Sequence, residues 1–442
     1  MTVASLERRL AEAARSGRRW LAPGALSILD QGLVSGANFA LVVLFARWLA
    51  PTDYGAVAIG LSVFLLAANF HHALLLEPMS VMGPRQFAQR MGGYFSAMLG
   101  AHAGAVAALG ALLAAAAALW RTSAPSLAAA LAALSLTTPA VLSFWVLRRI
   151  CYVTADPATA LRGGLTFMSC ALAGAAAARA LSWRSSAALF LITGASALCA
   201  CAVLLPLLRR RLSDGTPPAS VLREALAAHW NYGRWMVGVS LTYWLANSAF
   251  PVLLAAGAGL AASAELRAIE NLTSPVLQAT GALSLLLLPW VAGQTQAEGT
   301  AYLQRFQRRA MGTALAITGS YLGCVLLFSR TLMRLLYGPG AYAGLAVLVP
   351  LVAAATLVRG VSELSFSTAL KGAARPDAHF LATLVSSVFV LTGGWLLVER
   401  WRVAGAAAGM LASNILQAAV LGACFLRLTR GGRGNRDGGE RA

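Results

Sequence analysis

Charge is what this sequence has least of. Only 12% of its 442 residues are Asp, Glu, Lys or Arg, while 58% are hydrophobic and the mean hydropathy is +0.69. Soluble domains carry about twice that share of charge, so the composition excludes an ordinary soluble protein and indicates a polytopic membrane protein. No stretch of soluble composition is long enough for a second domain, which argues against a tethered catalytic module. Walker A, HExxH and GxSxG sequences are absent, and so is any cluster of metal-ligand residues. Neither a cofactor nor a resident metal is therefore expected. The six cysteines lie mostly inside apolar runs, and Cys199-x-Cys201 lacks a partner pair at zinc spacing, so they read as small apolar residues. The first twenty residues are Arg-rich, with no apolar h-region directly behind the initiator, so no cleavable signal peptide is expected.

What is present is a series of apolar runs of about 17–25 residues, the length that crosses a bilayer. They fall at 24–46, 55–78, 93–119, 125–147, 160–181 and 186–208, then at 233–256, 272–293, 310–329, 342–363, 379–398 and 403–427. The fold class expected is an all-α membrane protein of about twelve spans. Residues 1–23 are expected to be a cytoplasmic or interfacial segment, either a disordered basic tail or a surface helix in which Leu6, Leu10, Ala13 and Ala14 share one face and Trp20 is the anchor. An N-lobe at 24–208 and a C-lobe at 233–427 are divided by a linker at 209–232, and a basic tail expected to be disordered covers 428–442. The net charge of +19 would suggest nucleic acid in a soluble protein, but here the arginines sit in short loops. They favour the loops of one side strongly, which places both termini in the cytoplasm by the positive-inside rule. Leu49-Ala-Pro-Thr-Asp-Tyr-Gly after the first span and Leu260-Ala-Ala-Ser-Ala-Glu-Leu after the seventh are weakly alike. They suggest two parallel repeats with a substrate path between them.

Polar residues inside spans are the candidate functional groups, because they are costly in lipid. Ser27, Asp30, Gln31, Ser35 and Asn38 recur at three- and four-residue spacing as a stripe on the first span, suited to a hydrated cavity or to interhelical hydrogen bonding. His71, His72 and Glu77 interrupt the second span, with Pro78 and Pro84 expected to break its helix. Adjacent histidines face different ways on a helix, so they make a poor metal pair. Arg359 and Glu363 stand at i, i+4 on the tenth span. They can neutralise each other, or the guanidinium can bind a phosphate. Arg148 and Arg149 are candidates for lipid phosphate, or ordinary topology signals. The GxxxG pairs Gly100–Gly104 and Gly405–Gly409 suggest tight helix packing.

Several stretches together carry a family likeness. DQGLVSGANF, LFARWLAPTDYG, LLLEPMSVMGPRQF, LRRICYVTADP, ELRAIENLTSPVLQ and LLYGPGAYAGLAVLVPL resemble bacterial polysaccharide and O-antigen flippases. These belong to the multidrug/oligosaccharidyl-lipid/polysaccharide (MOP) exporter superfamily. The resemblance implies two six-helix lobes around a central cationic cavity in the bacterial cytoplasmic membrane. It also implies a non-enzymatic activity: alternating access that flips a polyprenyl-diphosphate-linked oligosaccharide for surface polysaccharide synthesis. On that reading Asp30, Gln31, Asn38, Glu77, Arg359 and Glu363 are cavity residues. H+ or Na+ is the coupling ion, and membrane lipids and polysaccharide assembly proteins are the partners. A cation-coupled multidrug exporter is the alternative within the superfamily. A membrane glycosyltransferase or polymerase is the alternative outside it, disfavoured by short loops.

Overall fold

A segment inside lipid must satisfy its own backbone hydrogen bonds, and an Ala- and Leu-rich chain does so as helix. The computed structural model describes residues 3–212, 219–340 and 342–437, and among them there are helices and no strands. Two compact units are formed, Met1–Phe45 with Ala67–Val237 and Ala46–Leu66 with Gly238–Ala442.

Helix α1 (Val3–Trp48) runs unbroken through both the N-terminal segment and the first span. Helix α2 (Pro51–His71) opens on a proline, whose missing N–H is harmless at a first helical position. It passes through a π-turn, His72–Leu76, directly into α3 (Glu77–Gln86). The break expected at Pro78 and Pro84 does not occur. Pro78 sits in the first turn of α3 and Pro84 inside it, and the π-turn takes up the distortion by letting the Glu77 N–H reach back to the His72 carbonyl. Pro78 has no N–H to offer the turn below, where the Leu74 carbonyl accepts a hydrogen bond from His229 Nδ1 at 3.0 Å.

Helices α4 (Met91–Leu119), α5 (Pro125–Val153), α6 (Pro157–Ala180) and α7 (Ser186–Leu208) complete the apolar body of the first unit. They pack closely through small residues: a Cβ on Gly163 would meet the Leu204 side chain at 2.8 Å, and one on Gly110 the Ser135 carbonyl at 2.8 Å. The GxxxG expectation fails at Gly100–Gly104, where added Cβ atoms would meet nothing within 4 Å. Asp156 caps α6, accepting from the Thr159 N–H at 3.1 Å and pairing with Arg211 at 2.5 Å. Partial burial pushes its pKa upward, but the bonds from Thr159 and Arg211 outweigh this and hold the carboxyl below the usual range. Part of the expected linker, 213–218, lies outside the described residues, and α8 (Ala219–Ser248) follows it.

After α8 the chain bends by 55° into α9 (Phe250–Ala258). Helices α10 (Leu260–Glu298), α11 (Thr300–Leu327) and the short α12 (Ser329–Tyr337) come next. Then α13 (Val349–Ser362) passes through a second π-turn, Glu363–Ser367, into α14 (Thr368–Gly372). The last apolar segment, Pro376–Arg430, has 55 residues, about 80 Å of helix and far more than one bilayer needs. It is two spans. α15 (Pro376–Phe389) and α16 (Trp395–Asp437) are joined by a third π-turn, and the backbone reverses inside α16 at Arg402, with φ 48°. The arms on either side of that reversal meet, Ser386 Oγ donating to the Ser413 carbonyl at 2.9 Å. A Cβ on Gly405 would lie 1.8 Å from the Leu397 carbonyl, so this GxxxG pair does mark a close approach. With the two arms, the bent α8–α9 pair taken as one, and the other nine candidate spans, twelve apolar segments among the described residues are long enough to cross a membrane. The tail is helical to Asp437, and 438–442 lie outside the described residues.

Candidate functional site

Each unit contains a cluster of polar side chains in otherwise apolar helices. In the first unit, Asp30 is wholly buried, its carboxylate gripped by Arg148 through Nη2 at 2.6 Å and Nε at 3.0 Å, with the Tyr152 hydroxyl also donating to it. Gly164 gives it room, since a Cβ there would sit 2.2 Å from Asp30 Oδ1. Arg148 also reaches Gln31 Oε1 at 3.3 Å, and Gln31 in turn donates to Ser35 Oγ at 3.2 Å. Gln31 and Asn38 are exposed, whereas Asp30 faces protein. The stripe therefore splits. Its carboxylate is an internal counter-charge, and its amides are the accessible part.

Arg149, one residue on, points elsewhere because successive helical residues face different ways. Its guanidinium donates to Ser80 Oγ at 2.9 Å and lies 3.4 Å from His72 Nε2. Glu77 accepts from the Tyr232 hydroxyl at 2.7 Å and is 3.8 Å from His72 Nδ1. Arg149, Ser80, His72, Glu77 and Tyr232 thus form one half-buried polar group around the π-turn of α2. Sequence reasoning singled out Arg149, His72 and Glu77. Ser80 and Tyr232 it missed, because only tertiary packing brings α5 and α8 to this turn.

In the second unit the expected Arg359–Glu363 pair does not form. Glu363 binds Lys371, the chain's only lysine, at 2.8 Å, and accepts from Ser367 Oγ at 3.2 Å. The π-turn is the reason. A turn closed by i→i+5 bonds holds more residues than the α-helix's 3.6, so eight residues here make close to two turns and Lys371 stacks over Glu363. His379 Nδ1 is 3.1 Å from Ser367 Oγ, and its ring stacks on Tyr243 at 6.3 Å. Arg359 donates to the Tyr243 hydroxyl at 2.9 Å and lies over that ring at 5.8 Å. Among the described residues no carboxylate is within ion-pair distance of Arg359. The 363, 367, 371 spacing was visible in the sequence; the roles of Tyr243 and His379 were not.

The stretches that carry the family likeness meet in two places. DQGLVSGANF and LRRICYVTADP join at Asp30–Arg148–Tyr152, and LLLEPMSVMGPRQF joins them through Ser80–Arg149. In the second unit, Asn271 donates to the Tyr54 hydroxyl at 2.8 Å and to the Tyr337 hydroxyl at 3.2 Å, and the Tyr342 ring lies 5.4 Å from that of Tyr337. A Cβ on Gly55 would lie 1.8 Å from the Leu260 carbonyl, so the starts of α2 and α10 touch backbone to backbone.

This arrangement of helices occurs in solved transporters. An inward-facing multidrug resistance MATE family transporter of the MOP superfamily aligns with TM-score 0.71 at 14% identity, over 92% of this chain and 98% of its own. The lipid II flippase MurJ, in an inward closed conformation, aligns with TM-score 0.62 at 12% identity, over 92% of this chain and 90% of its own. A MOP superfamily transporter from Pyrococcus furiosus, described as having a binding pocket of reversed polarity, aligns with TM-score 0.62 at 14% identity, covering 92% and 94%. The fold is that of the MOP transporters. No family model matches the chain, and no curated protein matches its sequence. The likeness is therefore one of fold, shared alike by a multidrug resistance MATE transporter and the lipid II flippase MurJ.

Proposed function

We propose that the chain is a flippase for a polyprenyl-diphosphate-linked oligosaccharide in the bacterial cytoplasmic membrane. It works by alternating access, with both termini cytoplasmic, and serves surface polysaccharide assembly. The observation that carries this reading is Arg359. It lies near the middle of the 29-residue apolar span Gly344–Gly372, and its hydrogen-bond partner is a neutral tyrosine hydroxyl. A cation at that depth is costly unless an anion meets it. A guanidinium matches phosphate oxygens through two parallel bonds, so a substrate diphosphate would offset that cost. Arg149, held by Ser80 and His72 rather than in a carboxylate pair, offers a second contact for an anionic headgroup. Exposed Gln31 and Asn38 are suited to sugar hydroxyls.

Reconstitution tests this. Proteoliposomes carrying the wild-type chain should protect a labelled polyprenyl-diphosphate oligosaccharide from an external glycosidase as it moves inward. Arg359→Ala should lose that movement while retaining the fold. Normal movement with Arg359→Ala would sink the assignment.

The multidrug reading shares the fold and differs in substrate. A cation-coupled exporter needs a carboxylate free to exchange its cation, and Asp30 is closed against Arg148. A deletion strain that becomes drug-sensitive yet keeps normal surface polysaccharide would favour the exporter.

A further inference from the structure

Two imidazoles face each other in the first unit. His71 Nε2, at the end of α2, lies 3.0 Å from His102 Nδ1 on α4, with the rings edge to face at 5.0 Å. His102 Nε2 is in turn 3.0 Å from Ser143 Oγ on α5. A chain of polar atoms thus crosses three apolar helices, and it has a loose end: His71 Nδ1 is buried with no hydrogen-bond partner among the described residues. Two hydrogen arrangements fit. If His71 donates to His102 and His102 to Ser143, Nδ1 is a bare lone pair. If every bond runs the other way, Nδ1 is a buried N–H without an acceptor, the rarer kind of orphan. The first arrangement is favoured. An interhelical tie alone would be served by a single hydroxyl or amide and would leave no orphan.

The place is as specific as the atom. His71 immediately precedes the π-turn His72–Leu76, and such turns frequently mark functional sites. Pro78 withholds an N–H from that turn, and α8 stitches it through His229 to the Leu74 carbonyl.

We propose that Nδ1 of His71 is a proton-binding site, reached by water when α2 opens at the π-turn. The proton comes from hydronium and adds to the lone pair. The Nε2–H bond to His102 and the His102 bond to Ser143 both persist, so no other hydrogen moves. The charged and titratable groups facing the pair are Arg149 from α5, and His72 with Glu77 from the same segment. Arg149 and a protonated His71 repel. An anion taken up by Arg149 therefore supports the proton, and the proton supports the anion, by linkage. That last step rests on the function proposed above; the proton site itself does not.

The chain has five histidines, few enough for nitrogen-15 histidine NMR on the full-length protein in lipid nanodiscs, each signal assigned by one substitution. Acidification from about pH 8, above the range in which histidine commonly titrates, down to the onset of unfolding should convert the His71 signals to the imidazolium pattern. Amide hydrogen exchange over 71–80 should rise with it. In His71→Gln that titration should vanish with the other four signals intact, and in His102→Asn it should shift. A His71 that stays neutral until the protein unfolds overturns the proposal, and so does one that charges with no change in exchange. Either result leaves the pair as a structural tie. The wild-type titration decides even if a variant fails to fold. No substrate is present, so the outcome is independent of what the chain carries.

Discussion

Asp30 is a carboxylate inside apolar helix whose charge is met by Arg148 with almost no solvent. Removing one member of such a pair leaves the other uncompensated, at a cost of about 3–5 kcal/mol. Asp30→Asn should therefore lower Tm and the amount of folded protein in the membrane, and adding Arg148→Met should recover most of the loss. If Asp30→Asn melts like the parent but no longer transports, the carboxylate acts on substrate instead. Arg359 is the opposite case: Glu270 and Glu363, the carboxylates its charge reaches, keep Arg267 and Lys371 as their ion-pair partners, so its removal strands neither. Arg359→Ala should leave Tm nearly unchanged while transport falls at least about tenfold, the effect of losing one charge-assisted bond of about 1.5–3 kcal/mol. That polar residues crowd the first, second and tenth spans was legible from their costly context. Which of them pair was not: the i, i+4 spacing suggested Arg359–Glu363, and a single π-turn handed Glu363 to Lys371.

Helix ends and turns follow local chemistry more openly. Asp156 caps α6 and holds Arg211, and its pKa is depressed below the normal carboxylate value. The sign is set by that depression. Its contribution is present above the unfolded carboxylate pKa of about 3.9 and fades as pH falls through the lower folded value. Asp156→Asn should start less stable at neutral pH, by up to about 1 kcal/mol for the weakened cap and ion pair. It should also lose less on acidification than the parent, read as Tm against pH. Equal acid slopes for the two would remove Asp156 from this role. The three π-turns had no such signature. Prolines at 78 and 84 predicted a break, but a helix in an apolar medium keeps its backbone bonded and widens one turn rather than open.

At the scale of the whole chain, the reversal at Arg402 decides whether the last 55-residue apolar segment is one span or two. Topology reporters placed at Arg402 and at Arg375 should report opposite sides of the membrane, and the N-terminal segment should report the same side as Arg375. Reporters that agree at 375 and 402 would contradict a twelve-span fold. Gly405→Ala should disrupt this hairpin, because its new Cβ has a carbonyl 1.8 Å away and backbone cannot yield as a side chain can. The sequence by itself determined that the protein lives in a membrane, is helical, and has about twelve spans, because apolar length and the absence of charge are properties of single segments. Only the tertiary structure decided that Asp30 is spent on Arg148, that Arg359 donates to the Tyr243 hydroxyl rather than pairing with Glu363, and that His71 ends a chain of bonds at an open nitrogen. Those outcomes depend on which helix faces which, and residues from 31 to 118 positions apart set them.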